Sequence, residues 1–147
     1  MSAHRVTPYL VAKGAETAIK FYVQVFDAKE IFRLTDPGDG RIGHAELAIG
    51  GSEIYLADEY PDFGALSPDT LGGSPVTLHI LVADCDATVA AAEQAGALVL
   101  RRPADQSYGE RVAQVQDPFG HRWMIAQETE VVSPEDMQRR WEAETGA

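Results

Sequence analysis

The chain has 147 residues, of which 45% are hydrophobic and 24% charged, the make-up of a single folded domain and not of a disordered chain. No apolar run approaches the ~20 residues of a membrane-spanning helix. Twelve basic residues face 23 acidic ones, a formal charge of −11, so neither nucleic acid nor an anionic membrane is expected as a partner.

Residues 5–12 alternate weakly and read as a strand. Residues 14–16 open a helix in which Ala18, Phe21, Tyr22, Val25 and Phe26 recur at helical spacing, and Asp27-Ala28 ends it. A strand over 29–34 runs into the turn-forming cluster Asp36-Pro37-Gly38-Asp39-Gly40. Residues 42–49 alternate cleanly, with Ala45, Leu47 and Ile49 on one face and His44, Glu46 and Ala48 on the other. Gly50-Gly51 makes a hairpin turn into a strand over 53–57. The first half thus reads β-α-β-β-β.

Residues 58–74, rich in Pro, Gly, Asp and Ser, read as a connecting loop, after which the pattern restarts. A strand over 76–82 points Thr77, His79 and Leu81 to one face. Asp84 caps a helix over 87–94 that stops at Gly96, and strands follow over 97–101, 111–116 and 122–127. Ser133-Pro134-Glu135-Asp136 carries the signals of a helix start, with Met137 and Trp141 on one face of the tail helix. That helix is expected to dock on its own domain or on a twin subunit.

A β-α-β-β-β unit covers only one face of its sheet with a helix. Two such units paired make an eight-stranded, mixed, curved sheet of the α+β class, a cup with a ligand-sized interior. Cys85 is the only cysteine, which excludes a disulfide framework and any zinc site of several thiolates. The stretch 1–7 lacks a basic segment followed by an apolar run, so a cytoplasmic location is expected.

Five stretches carry a family resemblance: Gly43-His44-Ala45-Glu46-Leu47, Ser74-Pro75-Val76-Thr77-Leu78-His79, Tyr108-Gly109-Glu110-Arg111, Asp117-Pro118-Phe119-Gly120-His121-Arg122-Trp123, and the Ser133-Pro134-Glu135-Asp136 helix start. With the duplicated modules, they make the whole chain resemble the vicinal oxygen chelate superfamily of glyoxalases, bleomycin-resistance proteins and extradiol dioxygenases, in its PhnB-like branch. The resemblance implies a glyoxalase-like cup over 1–130, with module one at 5–58, a linker at 59–74 and module two at 75–130, followed by an acidic helix over 131–147. It also implies a small-molecule ligand and a homodimer.

In metal-using members of that superfamily, ligands come from the first and last strands of each module. Those positions fall here on Thr7, Tyr55, Met124 and either Thr77 or His79. A hydroxyl, a phenol, a thioether and at most one imidazole suit a divalent ion poorly, so no metal is expected at the usual positions. A divalent metal would need a rearranged set, His44 and His79 with Glu128. Two functions follow. The first is a small-molecule-binding protein of the glyoxalase/bleomycin-resistance type. Its cup would be lined by Tyr9, His44, Tyr55, His79 and Met124, with Thr7, Thr77, Tyr108 and Arg122 as further contacts. The alternative is a glyoxalase-type lyase or isomerase, in which His79 with Glu46 or Glu128 moves a proton alpha to a carbonyl. Under either reading, His44, Tyr55 and His79 face one shared hollow. His121 reads as a strand-end hydrogen-bonder, Trp123 as core, Arg111 as an ion-pair partner and Cys85 as an inert buried thiol.

Overall fold

The period-2 alternation places one apolar set per strand on one side, and in each half of the chain a single helix closes over that side. A computed structural model describes residues 3–146, so Met1, Ser2 and Ala147, where the tail helix was expected to end, lie outside the described residues. The order of elements is β1 (Tyr9–Ala12), α1 (Ala15–Phe26), β2 (Lys29–Thr35), β3 (Ile42–Ile49), β4 (Ser52–Asp58), α2 (Pro68–Leu71), β5 (Thr77–Leu81), α3 (Cys85–Gln94), β6 (Leu98–Asp105), β7 (Glu110–Gln116), β8 (Arg122–Glu128) and α4 (Pro134–Thr145). The strands form two four-stranded sheets, ordered β1-β4-β3-β2 and β5-β8-β7-β6. The first pair of each sheet is parallel and the others antiparallel. The α+β class and the repeated β-α-β-β-β order expected from the sequence are both present.

The chain divides into two compact units. The first holds the residues up to Pro75 and the turn Pro118–His121, and the second holds Val76–Asp117 and the chain from Arg122 onward. In the first unit, α1 buries Ala18, Phe21, Tyr22, Val25 and Phe26 against Leu10, Ala12, Ala45, Leu47, Ile54 and Leu56. Each large side chain buried here contributes on the order of 1.5–3 kcal/mol. Phe119 joins this core, its ring 6.2 Å from Phe21 and 6.4 Å from Tyr22. His121 donates from Nε2 to the Val11 carbonyl at 2.9 Å, the strand-end role read from the sequence. Gly14, in a left-handed conformation, supplies no side-chain cap to α1. The Asp58 carboxylate does so from the end of β4, accepting the Ala15 N–H at 2.8 Å and the Ile42 N–H at 2.7 Å.

In the second unit, α3 buries Cys85, Val89 and Ala92 over a sheet face carrying Ile80, Ala113, Val115, Trp123 and Ile125. Gln127 on β8 plays the part that Asp58 plays in the first unit, its amide oxygen accepting the Cys85 N–H at 2.9 Å. Trp123 is buried and donates to Asp117 at 2.9 Å. Arg111 bonds Asp86 and Asp105, each at 3.1 Å, as an ion-pair partner.

Apart from shifts of a single residue at strand ends, four assignments differ from the sequence reading, each for a local reason. β1 begins at Tyr9 and not at residue 5, because Pro8 has no N–H to give a ladder. β6 runs past residue 101 to Asp105; it is an edge strand with register shifts, where Pro103 is tolerated. α3 starts at Cys85, directly after its Asp84 cap. The segment 58–74 is more than a loop. It holds a 3-10 turn over Pro61–Phe63 and the one-turn α2, capped by Ser67 and ended at Gly72. The tail helix α4 is tied to its own unit by Arg140, which donates to the Ser107 carbonyl at 2.7 Å and to Glu130 at 2.6 Å. Met137 and Trp141 stay exposed.

Candidate functional site

Each sheet has a second face, opposite the one on which α1 or α3 packs. In the first unit the register sets Tyr9 beside Tyr55, Tyr55 beside Glu46 and Glu46 beside Phe32, a row running across all four strands. His44 lies beside Leu34 in the neighbouring row. Strands are about 4.8 Å apart, so a residue on β1 meets one on β3 only through a long side chain. Tyr9 reaches that far: its hydroxyl lies 2.7 Å from His44 Nδ1. On the other side of the ring, His44 Nε2 lies 2.8 Å from Glu46 Oε2.

Aromatic rings hold this imidazole in place. Tyr55, Tyr9 and Phe32 sit with centroids 5.0, 5.4 and 5.8 Å from that of His44, the first two edge-on. Burial pushes the Tyr9 phenol above its ordinary pKa, and the Glu46 charge adds to the rise, so Tyr9 stays a neutral hydroxyl. Thr7, just ahead of β1, is half-buried.

Beside this group the first unit contains a cavity of about 650 Å³, within the roughly 300–1,000 Å³ typical of small-molecule sites. The small side chains of Val11 and Ala57 leave room on the sheet face. Tyr9, Leu34, Tyr60 and Phe63 supply bulk around it, and Thr35, Asp36, Pro37, Gly43 and Ala65 complete the lining. Tyr60 is fixed from outside by Arg41, whose guanidinium lies 4.0 Å from the ring centroid, donates to Asp39 at 2.8 Å and bonds the Glu59 carbonyl at 3.1 Å. Burial raises the Tyr60 pKa, and the Asp36 carboxylate raises it further.

On the second unit's open face, Thr77 pairs with Arg122 and His79 with Met124 in the parallel ladder, while Gln114 faces Met124 and Glu110 faces Glu128 in the antiparallel one. The carboxylate beside His79 is Glu110, at 3.5 Å from Nε2. Glu46 belongs to the other unit, where it bonds His44, and Glu128 lies at the exposed end of β8. Tyr108 sits in the turn before β7; burial, with the charges of Glu110 and Glu144, raises its pKa.

The arrangement therefore brings Tyr9, His44, Glu46 and Tyr55 together in one unit. Thr77, His79, Arg122, Met124 and Glu128 share a face in the other. Sequence reasoning missed Leu34, Asp36, Tyr60, Phe63 and Glu110. Glu110 was within reach of the alternation, since it has the parity of Val112 and Gln114, which face Ala126 and Met124 across the ladder. Tyr60 and Phe63 lie in a stretch without periodicity, where the signal is only two aromatics in a polar segment. Within neither unit are three or more His, Cys, Asp or Glu gathered for an ion among the described residues, and His44 lies in a different unit from His79 and Glu128. The usual positions offer the Thr7 hydroxyl, the Tyr55 phenol, the Met124 thioether, and the Thr77 hydroxyl or the His79 imidazole. That donor set does not fit a divalent metal centre.

Two helix-backed four-stranded sheets from a repeated β-α-β-β-β unit define the class of duplicated α+β proteins. The chain belongs to the Glyoxalase/Bleomycin resistance protein/Dioxygenase superfamily, whose family model matches residues 3–125. It is similar to the uncharacterized protein Mb0911c of Mycobacterium bovis, 41% identical over 136 residues that cover 90% of this chain and 89% of that one. It shares its fold with a PhnB protein from Bacillus cereus at a TM-score of 0.67 and 18% identity, covering 84% of this chain and 99% of the other. The fold is also that of the fosfomycin resistance protein FosX from Listeria monocytogenes, solved with Mn(II) and sulfate, at a TM-score of 0.66 and 16% identity, covering 96% and 99% of the two chains.

Proposed function

We propose that this chain is a small-molecule-binding protein of the glyoxalase/bleomycin-resistance type, which takes up a flat, largely apolar molecule without a metal at the superfamily's usual positions. The observation that carries this reading is the first unit's cavity of about 650 Å³, with aromatic walls (Tyr9, Tyr60, Phe63) around a floor of small residues. Tyr55 and His44 flank it on the same sheet face, packed on Tyr9, and Thr7, just ahead of β1, is a further binding candidate. Thr77, Arg122, Met124 and Tyr108 are binding candidates on or beside the second unit's open face. Pairing of two copies and a cytoplasmic location go with this reading, and a molar mass measured in solution tests the first.

The decisive experiment is a thermal-shift screen of planar aromatic compounds against the wild type, Ala57→Phe and Tyr60→Ala. A ligand at about 100 times its Kd stabilises the native state by about 2.7 kcal/mol, roughly 5–10 °C for a chain of this size. Ala57→Phe fills the floor and Tyr60→Ala removes a wall, so each is expected to abolish the shift. Shifts that survive in both folded variants, or no shift from any compound, refute the reading.

A second reading, a lyase or isomerase of the glyoxalase type, draws on the His79–Glu110 pair at 3.5 Å. In it His79 is the base and Glu110 orients the ring. His79→Ala then abolishes turnover of a thiol–aldehyde adduct, and an active His79→Ala protein eliminates that base.

A further inference from the structure

We infer that the Tyr9–His44–Glu46 chain sets the hydrogen-bond polarity of the cavity, making Tyr9 an acceptor toward the ligand and selecting aromatic molecules that carry a hydroxyl or N–H donor. The inference rests on the cavity being a binding site and adds the class of molecule it takes. Of the three residues only Tyr9 lines the cavity, and it is also the end of the chain Tyr9 Oη–His44 Nδ1–Glu46, at 2.7 and 2.8 Å.

The polarity follows from counting protons. A carboxylate has none to give, so the contact at Glu46 Oε2 requires the hydrogen on His44 Nε2. A neutral imidazole carries one N–H, which leaves Nδ1 as a bare lone pair. With the ring neutral, the Tyr9 hydroxyl therefore donates to Nδ1, and its proton is committed inside the protein. What remains for a ligand is a lone pair on the Tyr9 oxygen. The same logic, in which a carboxylate fixes the tautomer of an imidazole that accepts from a hydroxyl, governs the Ser-His-Asp arrangement, here with a phenol at the end. The Tyr55, Tyr9 and Phe32 rings around His44 restrain it from turning over to exchange its nitrogens. The charged group in the lining is Asp36, whose carboxylate is likewise an acceptor.

The test has a ligand-free arm and a ligand arm. Histidine ring nitrogens are observed by two-dimensional 15N NMR at pH 8, with His44 assigned by the signal missing from His44→Gln. A proton on Nε2 and a bare Nδ1 is the expected result; the reverse tautomer overturns the inference. In the ligand arm, 2-naphthol and 2-methoxynaphthalene are titrated against the wild type, Tyr9→Phe and Glu46→Gln. They have the same aromatic body and differ in the donor. The wild type is expected to bind 2-naphthol roughly three- to tenfold more tightly, the span of one neutral hydrogen bond. Tyr9→Phe should bring the two affinities within twofold. Glu46→Gln can give a proton to Nε2, moving the ring hydrogen to Nδ1 and turning the Tyr9 hydroxyl outward, so its preference should vanish or pass to 2-methoxynaphthalene. Equal binding of both probes by the wild type refutes the polarity and leaves the cavity reading standing. Binding of neither refutes the cavity reading itself, and the ligand class with it.

Discussion

Asp58 both caps α1 and anchors the start of β3, and its removal gives a worked prediction. Its two oxygens accept the N–H groups of Ala15 and Ile42, at 2.8 and 2.7 Å. Those residues are 0% and 2% exposed, so water does not readily replace the carboxylate. A buried donor left without a partner costs about 1–3 kcal/mol, so Asp58→Ala should lose about 2–5 kcal/mol. That is a large part of the 5–15 kcal/mol of a typical domain. At roughly 2–4 °C per kcal/mol for a chain of this length, the melting temperature falls by about 4–20 °C. Asp58→Asn keeps one acceptor oxygen but turns an NH2 group toward the second N–H, and should fall between. The control is Asp84→Ala, which removes an exposed cap bond to the Ala87 N–H at 3.0 Å and costs about 1 kcal/mol. Urea unfolding followed by circular dichroism measures all three. If Asp58→Ala costs no more than Asp84→Ala, the carboxylate is not what closes α1 onto its sheet.

Further expectations concern both units. Gly109 has φ +94, and a Cβ there would meet the Glu130 carbonyl oxygen at 2.3 Å; Gly109→Ala should therefore destabilise by more than about 2 kcal/mol in the same unfolding assay. Burial, and then the Asp86 charge, raise the Cys85 thiol above its ordinary pKa. Its folded value exceeds its unfolded one, so the stability it contributes is whole below about pH 8.5 and is lost as pH rises toward the folded value. Cys85→Ser should flatten the stability curve between pH 8 and 10, and an unchanged slope would contradict this. Trp141 is 62% exposed and Trp123 only 3%; acrylamide should quench the first readily, and Trp141→Phe should leave a blue-shifted, quench-resistant emission from Trp123.

Alternation and turn residues make most elements legible, because burial on one face forces period 2 in a strand and capping residues mark helix ends. The same alternation assigns His44 and Glu46 to one face of β3. It names a face, though, and not a neighbour. That Tyr9 meets His44, 35 positions away, depends on β4 lying between β1 and β3, which residue patterns in single strands do not encode. Likewise His79 has Glu110 beside it, a partner decided by how far two side chains reach across β8. Tyr60 and Phe63 are illegible for a different reason. Their conformation is held by the Arg41 contact and a 3-10 turn, interactions with no period.

The turn Pro118–His121 has a consequence for biosynthesis. It supplies the first unit with the Phe119 ring and with the His121 bond to Val11, and Gly120 comes so close to Pro68 that an added Cβ would lie 2.7 Å from it. The amino-terminal half therefore leaves the ribosome without its last core aromatic and waits for a piece translated only after β5, α3, β6 and β7 have emerged. A fragment ending near residue 75 would carry Phe21 and Tyr22 with a gap where Phe119 belongs.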